Sequence, residues 1–178
     1  MLLLVGLGNP GSNSVNNRHN IGFKIIDAIN AHFKLSKQKP KFKGSLTTGN
    51  IDSKKIYAIK PLTFMNNSGT AIKELIDYFK IDAKDVFVFH DDMDIDFGKI
   101  KAKFGGSIAG HNGIDSIDKF IGKDYSRVRI GIGHPKENIK VEDHVLQDFN
   151  DEEKVELDSI TKNIITSLPI LIDKKLDL

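Results

Sequence analysis

Apolar and polar positions along the chain change period several times, and each change marks an element. Leu2 to Leu7 is a continuous apolar run closed by a Gly-Pro turn, the pattern of a buried strand feeding a loop. From Asn20 the spacing turns helical, with Ile21, Ile25, Ile26, Ile29 and Phe33 on one face. Residues 34–43 (KLSKQKPKFK) read as a basic linker, and the runs 45–51 and 55–59 flank the polar turn Asp52-Ser53-Lys54 as a hairpin. A second helix is expected near Asn67 or Ser68, either residue a competent N-cap, with Ala71, Ile72, Leu75, Ile76 and Phe79 buried.

Val86 to Phe89 is the most β-prone stretch and should be a central strand that delivers His90 and Asp91 at its carboxyl end. In residues 99–104 (KIKAKF) strict alternation turns Ile100, Ala102 and Phe104 inward and Lys99, Lys101 and Lys103 outward. The glycine-rich loop GGSIAGHNG leads into a helix with Ile114, Ile117 and Ile121 inward, and RVRIGI (127–132) alternates again with Arg127 and Arg129 on one face. A last helix starts near Asp151, its acidic first turn suited to the dipole, and should end where Pro169 interrupts the pattern. This mixture implies a single-domain α/β sandwich with a mixed sheet over residues 1–178.

A length of 178 residues fits one domain, and with 39% hydrophobic and 28% charged residues the composition is globular. No run nears the roughly 18 apolar residues of a membrane span, and the first residues lack the basic region and cleavage pattern of a signal peptide. The absence of cysteine excludes disulfides, thiol catalysis and thiolate metal sites, so a cytosolic, soluble protein is expected. Net charge is only +2, but residues 1–60 carry ten Lys/Arg against two acids, while each later third is net acidic. That imbalance is either a solvated lysine surface or a local face for a polyanion.

Several motifs fail on their context. GLGNPG (6–11) matches a dinucleotide fingerprint, yet the turn opens into polar SNSVNNR rather than a helix, and Asp27 falls inside a helix instead of at the end of a second strand. DDMDIDFG resembles a calcium loop, but Phe97 and Lys103 stand where glycine and glutamate are needed. A metal site drawn from His90, Asp91, Asp92 and Asp94 has no supporting histidine spacing. Ser107 in GGSIAG suits a nucleophile elbow poorly, because the strand before it shows three lysines to solvent. What remains is a set of polar residues in loops at strand ends: Asn9, His19, Asn66, His90, Asp91, His111 and Asn112. Each alone fits a turn or cap, but open α/β sheets bind ligands beyond their strand ends, and such a set can run a metal-free ester hydrolysis with water.

VGLGNPG, RHNIG, P-x-TFMNNSG, HDDMD, GGSIAGHNG and RVRIGIGHP, in this order and spacing over residues 2–149, closely resemble bacterial-type peptidyl-tRNA hydrolase. The resemblance implies a three-layer, phosphorylase/hydrolase-like fold with a mixed, twisted β-sheet flanked by helices. It also implies cleavage of the ester between a peptide and the 3′ ribose of tRNA released prematurely from ribosomes, in the cytoplasm, by a monomer without metal or cofactor. His19 is then the general base, Asp91 its orienting carboxylate, and Asn9 a contact to water or to the blocked amino end. Asn66 and Asn112 bind the peptide and ester, Phe64 and Met65 wall the cleft, and Lys103 with Arg129 clamps the tRNA 5′ phosphate, both facing outward in the strand pattern.

The chain departs from the family where Ser14 and Asn17 replace the usual tyrosine and threonine, where Ile108 and Ala109 enlarge a glycine-rich loop, and where His144 replaces a common tyrosine. If that tyrosine stacks on the terminal adenosine, Ser14 forfeits about 1–3 kcal/mol. The rival class is a catalytically silent RNA-binding relative of the same fold, for which Ser14 is the one supporting feature.

Overall fold

The computed structural model describes residues 1–174; the last four residues of the expected domain lie outside the described residues. The chain runs β1 (Leu2–Gly6), α1 (Ile21–His32), β2 (Lys39–Lys41), β3 (Gly44–Ile51), β4 (Lys54–Pro61), α2 (Ser68–Phe79), β5 (Val86–Asp92), β6 (Ile100–Phe104), α3 (Asn112–Ile121), β7 (Ser126–Gly131), α4 (Val141–Leu146) and α5 (Asp151–Lys174). The strands form a mixed sheet in the order β2-β3-β4-β1-β5-β7-β6. Its centre, β4-β1-β5-β7, is parallel, and the β2, β3 and β6 pairings are antiparallel.

The uninterrupted apolar runs of β1 and β5 follow from burial on both faces. Leu2, Leu4, Phe87 and Phe89 pack with Ile25 and Ile29 of α1 and Ile160, Ile164 and Leu168 of α5. The alternate residues Leu3, Val5, Val86 and Val88 pack with Ile72 and Leu75 of α2 and Ile114 and Ile117 of α3. These two cores make the three layers that the motifs implied. Among the described residues no helix is long and apolar enough to cross a membrane.

Four local expectations need correction. The basic linker contains β2, joined to β3 by Phe42-Lys43, whose φ values of 53° and 56° make the two-residue turn that matches strand twist. At α2 neither Asn67 nor Ser68 caps by its side chain; a 3₁₀ turn, Met65–Asn67, runs into the helix, and the Ser68 hydroxyl donates to the Met65 carbonyl at 2.8 Å. Phe104 is 44% exposed because β6 is the outer edge of the sheet. Pro169 does not end α5: Ile160, Ile164, Leu168 and Ile172 form one buried stripe across it, and packing on that stripe offsets the lost hydrogen bond.

Chain order explains where a site can form. From β1 the chain passes to one neighbour, β4, and then crosses to the other, β5, so the loops leaving these strands diverge and open a crevice beyond their carboxyl ends. Gly6, the first glycine of the dinucleotide-like motif, and Gly22 of α1 make a close helix–strand contact instead. A Cβ on Gly6 would lie 2.2 Å from the Gly22 carbonyl oxygen, and one on Gly22 would lie 2.4 Å from both Leu7 N and Phe89 O. With no side chain at either position, α1 sits directly on β1 and β5 and brings His19, just before the helix, over the end of β5.

Replacing Gly22 with alanine drives a methyl into backbone that cannot yield, so Gly22→Ala is expected to cost at least about 1–3 kcal/mol, the usual range for overpacking. Urea unfolding measures it; a midpoint equal to wild type would contradict this reading of the helix-strand contact.

Candidate active site

Asp91, the next-to-last residue of β5, is 2% exposed, and both its carboxylate oxygens lie 2.9 Å from His19 Nδ1. Its Oδ1 also lies 2.8 Å from His111 Nε2. The proton positions follow from the partners. His111 precedes α3, and its Nδ1 accepts the Gly113 and Ile114 backbone N–H groups at 3.1 and 3.3 Å, so that nitrogen carries the lone pair. Nε2 of His111 therefore carries the proton and donates to Asp91. The Asp91 carboxylate in turn accepts Nδ1–H of His19, which leaves His19 Nε2 as an unprotonated acceptor. That nitrogen makes no hydrogen bond among the described residues, and His19 lines the crevice.

Charge reinforces the geometry. Burial disfavours the His19 imidazolium, but the charge of Asp91 and its hydrogen bond outweigh burial and raise the pKa above its ordinary 6.5. Burial also opposes ionisation of Asp91, yet the Coulombic attraction of the His19 and His111 imidazoles and the hydrogen bonds from both hold it well below the usual carboxylate range. His90, on the opposite face of β5, is kept neutral: burial, then the Coulombic repulsion its imidazolium would meet from His111, push it down to about 3. Its Nδ1 donates to the Asp91 carbonyl at 2.8 Å.

A second polar group sits beside this one. Asn9 and Asn20 exchange reciprocal hydrogen bonds, Asn9 N to Asn20 Oδ1 and Asn20 Nδ2 to the Asn9 carbonyl, both at 2.9 Å. Asn9 Oδ1 accepts the Met65 backbone N–H at 2.8 Å, which fixes the amide and leaves Nδ2 as its uncommitted donor. Phe64 adopts φ 64° and ψ 155°, a region costly for any side chain, and the Asn9–Met65 bond follows directly after it.

The crevice has two arms. One is lined by Asn9, Phe64, Met65 and Asn66, the other by His90, Asp92, Ile108 and Arg129, and His19, Asn112, Glu142 and Val145 line both. The opposite wall is α4, which is latched to the turn carrying His19 by Arg18. This residue is 7% exposed; its guanidinium donates to the His144 carbonyl at 3.1 Å and pairs with Glu153 at 3.0 Å, and its N–H donates to the Gln147 carbonyl at 3.0 Å. His144 itself donates from Nε2 to the Gly133 carbonyl at 2.9 Å.

Of the residues expected from the sequence, His19, Asp91, Asn9, Asn66, Asn112, Phe64 and Met65 converge here, with Phe64 on the rim at 62% exposure. Ser14 lies on the 3₁₀ turn Ser12–Ser14 and lines neither arm. Lys103 stays on the exposed edge strand, and Arg129 enters the crevice with Nη1 3.6 Å from Asp92 Oδ2. Arg127 shares their face but is buried rather than outward, bonded to Asp118 at 3.0 Å and to the Ser107 carbonyl at 2.7 Å, because α3 and the glycine-rich loop cover it.

The acidic run does not assemble as a metal site: Asp92 takes the Asp94 N–H and faces Arg129, and Asp94 pairs with His134. The ligand-type atoms that do cluster, within 4.8 Å, are those of His19, Asp91 and His111, and here they are joined by the hydrogen bonds already described. Sequence reasoning missed the contacts of His111 and Asn20 and the walls from α4. A histidine N-cap breaks the usual preference for Ser, Thr, Asp or Asn, and only the apolar i, i+4 pair Val141 and Val145 hinted at that short helix.

An NMR titration of the His19 ring is expected to show a midpoint above 6.5, so a rate that needs free Nε2 rises with pH through that midpoint. Asp91→Asn removes the attraction and leaves burial alone, which moves the midpoint, and any such rate limb, toward acid. An unshifted midpoint in the variant would contradict Asp91 as the cause.

Sequence and fold comparisons agree on one family. The profile described as Peptidyl-tRNA hydrolase matches residues 3–178. A curated peptidyl-tRNA hydrolase of Pelagibacter ubique is 74% identical over 178 residues, covering 100% of this chain and 96% of that protein. One from Ehrlichia ruminantium is 47% identical, covering 96% and 88%. The crystal structure of peptidyl-tRNA hydrolase from Acinetobacter baumannii superposes with a TM-score of 0.91 at 34% identity, covering 97% of this chain and 89% of that one. With its profile match, its relatives and its fold in accord, this chain belongs to the peptidyl-tRNA hydrolase family.

Proposed function

We propose that the chain hydrolyses the ester linking a peptide to the 3′ ribose of peptidyl-tRNA, returning free tRNA after premature release from ribosomes. The observation that carries this reading is the setting of His19: Nδ1 is held by Asp91 at 2.9 Å and the ring lines the crevice, so in the neutral ring Nε2 is the free acceptor. In the reaction Nε2 takes a proton from water as the water oxygen attacks the ester carbonyl carbon. Asp91 steadies the resulting imidazolium, which then protonates the 3′ oxygen as the carbon–oxygen bond breaks. The products are a tRNA with a free 3′ hydroxyl and a peptide carboxylic acid, which releases the second proton of the water to solvent as it ionises.

The amides of Asn112 and Asn66, which line the crevice, polarise the carbonyl and bind the peptide, and the free Nδ2 of Asn9, a donor, suits the acyl carbonyl oxygen on the blocked nitrogen of the substrate, an acceptor that an unblocked ammonium lacks. No step in this sequence calls on a metal or cofactor. Lys103 and Arg129 lie on neighbouring strands in next-but-one register, since Lys103 faces Arg127 and Lys101 faces Arg129, a spacing that a 5′ phosphate can bridge. Such contacts position the tRNA without reading its sequence.

Purified protein incubated with N-acetyl-aminoacyl-tRNA and with free aminoacyl-tRNA in EDTA is expected to cleave only the blocked substrate. His19→Ala should lower the rate by about 10²–10⁴, and the loss of a single carbonyl donor by about 10²–10³. Equal cleavage of both substrates would refute the role of Asn9, and loss of activity in EDTA would point to a metal. Tight tRNA binding without turnover would favour the silent RNA-binding alternative.

Lys103→Ala is expected to raise KM and to reduce the salt dependence of tRNA binding by about one counterion, with no change of preference among tRNAs. Equal losses on substrates with and without a 5′ phosphate would remove Lys103 from the clamp.

A further inference from the structure

We propose that Glu142 is a specificity-determining residue that favours a cationic side chain on the amino acid esterified to the tRNA; this rests on the hydrolase reading above. His19, Asn112, Glu142 and Val145 line both arms of the crevice, so Glu142 stands at their junction, across from the nitrogen that activates water. The other carboxylates of the crevice are already committed: Asp91 to His19 and His111, Asp92 to Arg129 and the Asp94 N–H. Glu142 is exposed and makes no hydrogen bond or ion pair among the described residues.

Its place is well defined, because the Arg18 latch ties α4 to the residue next to His19 and the His144 ring anchors the same helix to the Gly133 carbonyl. With the ester at His19, three parts of the substrate lie within reach of the junction. The terminal nucleotide carries a phosphate, which a carboxylate repels. The peptide amide is neutral, and the asparagines of the other arm suit it. The side chain of the esterified residue is the part that varies, and a lysine or arginine there would meet the one carboxylate still lacking a partner. An exposed ion pair of this kind is worth about two- to fivefold in kcat/KM and is screened by salt.

The test charges N-acetyl-lysine, N-acetyl-leucine and N-acetyl-glutamate onto one tRNA, so that the side chain is the only variable, and compares kcat/KM at low and high salt. The expected order is lysyl above leucyl above glutamyl, compressed by salt, flattened in Glu142→Gln and inverted in Glu142→Lys. The same lysyl-to-glutamyl ratio in the wild type and Glu142→Lys would overturn the proposal, as would a uniform loss on all three substrates, the mark of a ribose contact. Failure of the wild-type chain to cleave any of them would instead refute the hydrolase reading beneath it.

Discussion

A carboxylate taken out of water must be paired and fully hydrogen-bonded or it loses its charge, and Asp91 meets that demand with two histidines from two different loops. His19 arrives from the turn before α1 and His111 from the turn before α3, so one buried charge ties together the helical layers on opposite faces of the sheet. The chemistry of His19 is set at a distance by this arrangement. Two backbone N–H groups at the start of α3 fix the lone pair of His111, His111 then donates to Asp91, and the remaining demand of the carboxylate orients His19. A change at the amino end of α3 would thus reach the reactive nitrogen without touching it.

The rest of the crevice is built so that this chain of hydrogen bonds faces a defined space. Missing side chains at Gly6 and Gly22 let α1 approach the sheet. On one rim, the strained backbone at Phe64, of a kind that costs on the order of 1–3 kcal/mol, presents the Met65 N–H to Asn9 and so orients the asparagine amide. On the other rim, buried Arg18 joins the turn carrying His19 to α4 and, through Glu153, to the start of α5, where Glu153 and Asn150 cap each other at 2.9 and 2.8 Å. The turn that carries His19 and the cleft wall therefore share one buried cation.

Much of this was legible in the residues. Apolar periods gave the buried stripes of α1, α2 and α3 and the central place of β5, because those patterns are dictated by burial alone. Legibility failed where a partner distant in sequence overrode a local rule. Pro169 stays inside α5 because Leu168 and Ile172 are held by the sheet, and β2 forms inside a lysine-rich run because β3 offers it an edge. Arg127 alternates as an outward residue yet is buried, since Asp118 on α3 supplies the countercharge. At the site, the family motifs pointed to His19 and Asp91, which lie in contact, whereas the bonds of His111, Asn20 and Arg18 join segments up to 135 residues apart and have no local signature.

The charge imbalance of the sequence also changes meaning once its partners are known. Of the ten cations in residues 1–60, Arg18 is buried in the latch, and Lys43, Lys54 and Lys60 pair with Glu74, Asp173 and Asp27. Lys39 and Lys41 stand on β2, an edge strand whose open backbone groups would otherwise template pairing with another chain, and lysine with proline is a common way to blunt such an edge. Net charge by segment therefore says little about where a polyanion binds. What bears on the substrate is the sign of the few charges still available around the crevice: Lys103 on an exposed strand, Arg129 partly engaged by Asp92, and Glu142 at the junction. With the proposed substrate, Lys103 and Arg129 on the β6–β7 side and the Glu142 carboxylate at the junction of the arms would give the crevice an electrical direction that favours one orientation of a molecule with phosphate at one end and peptide at the other.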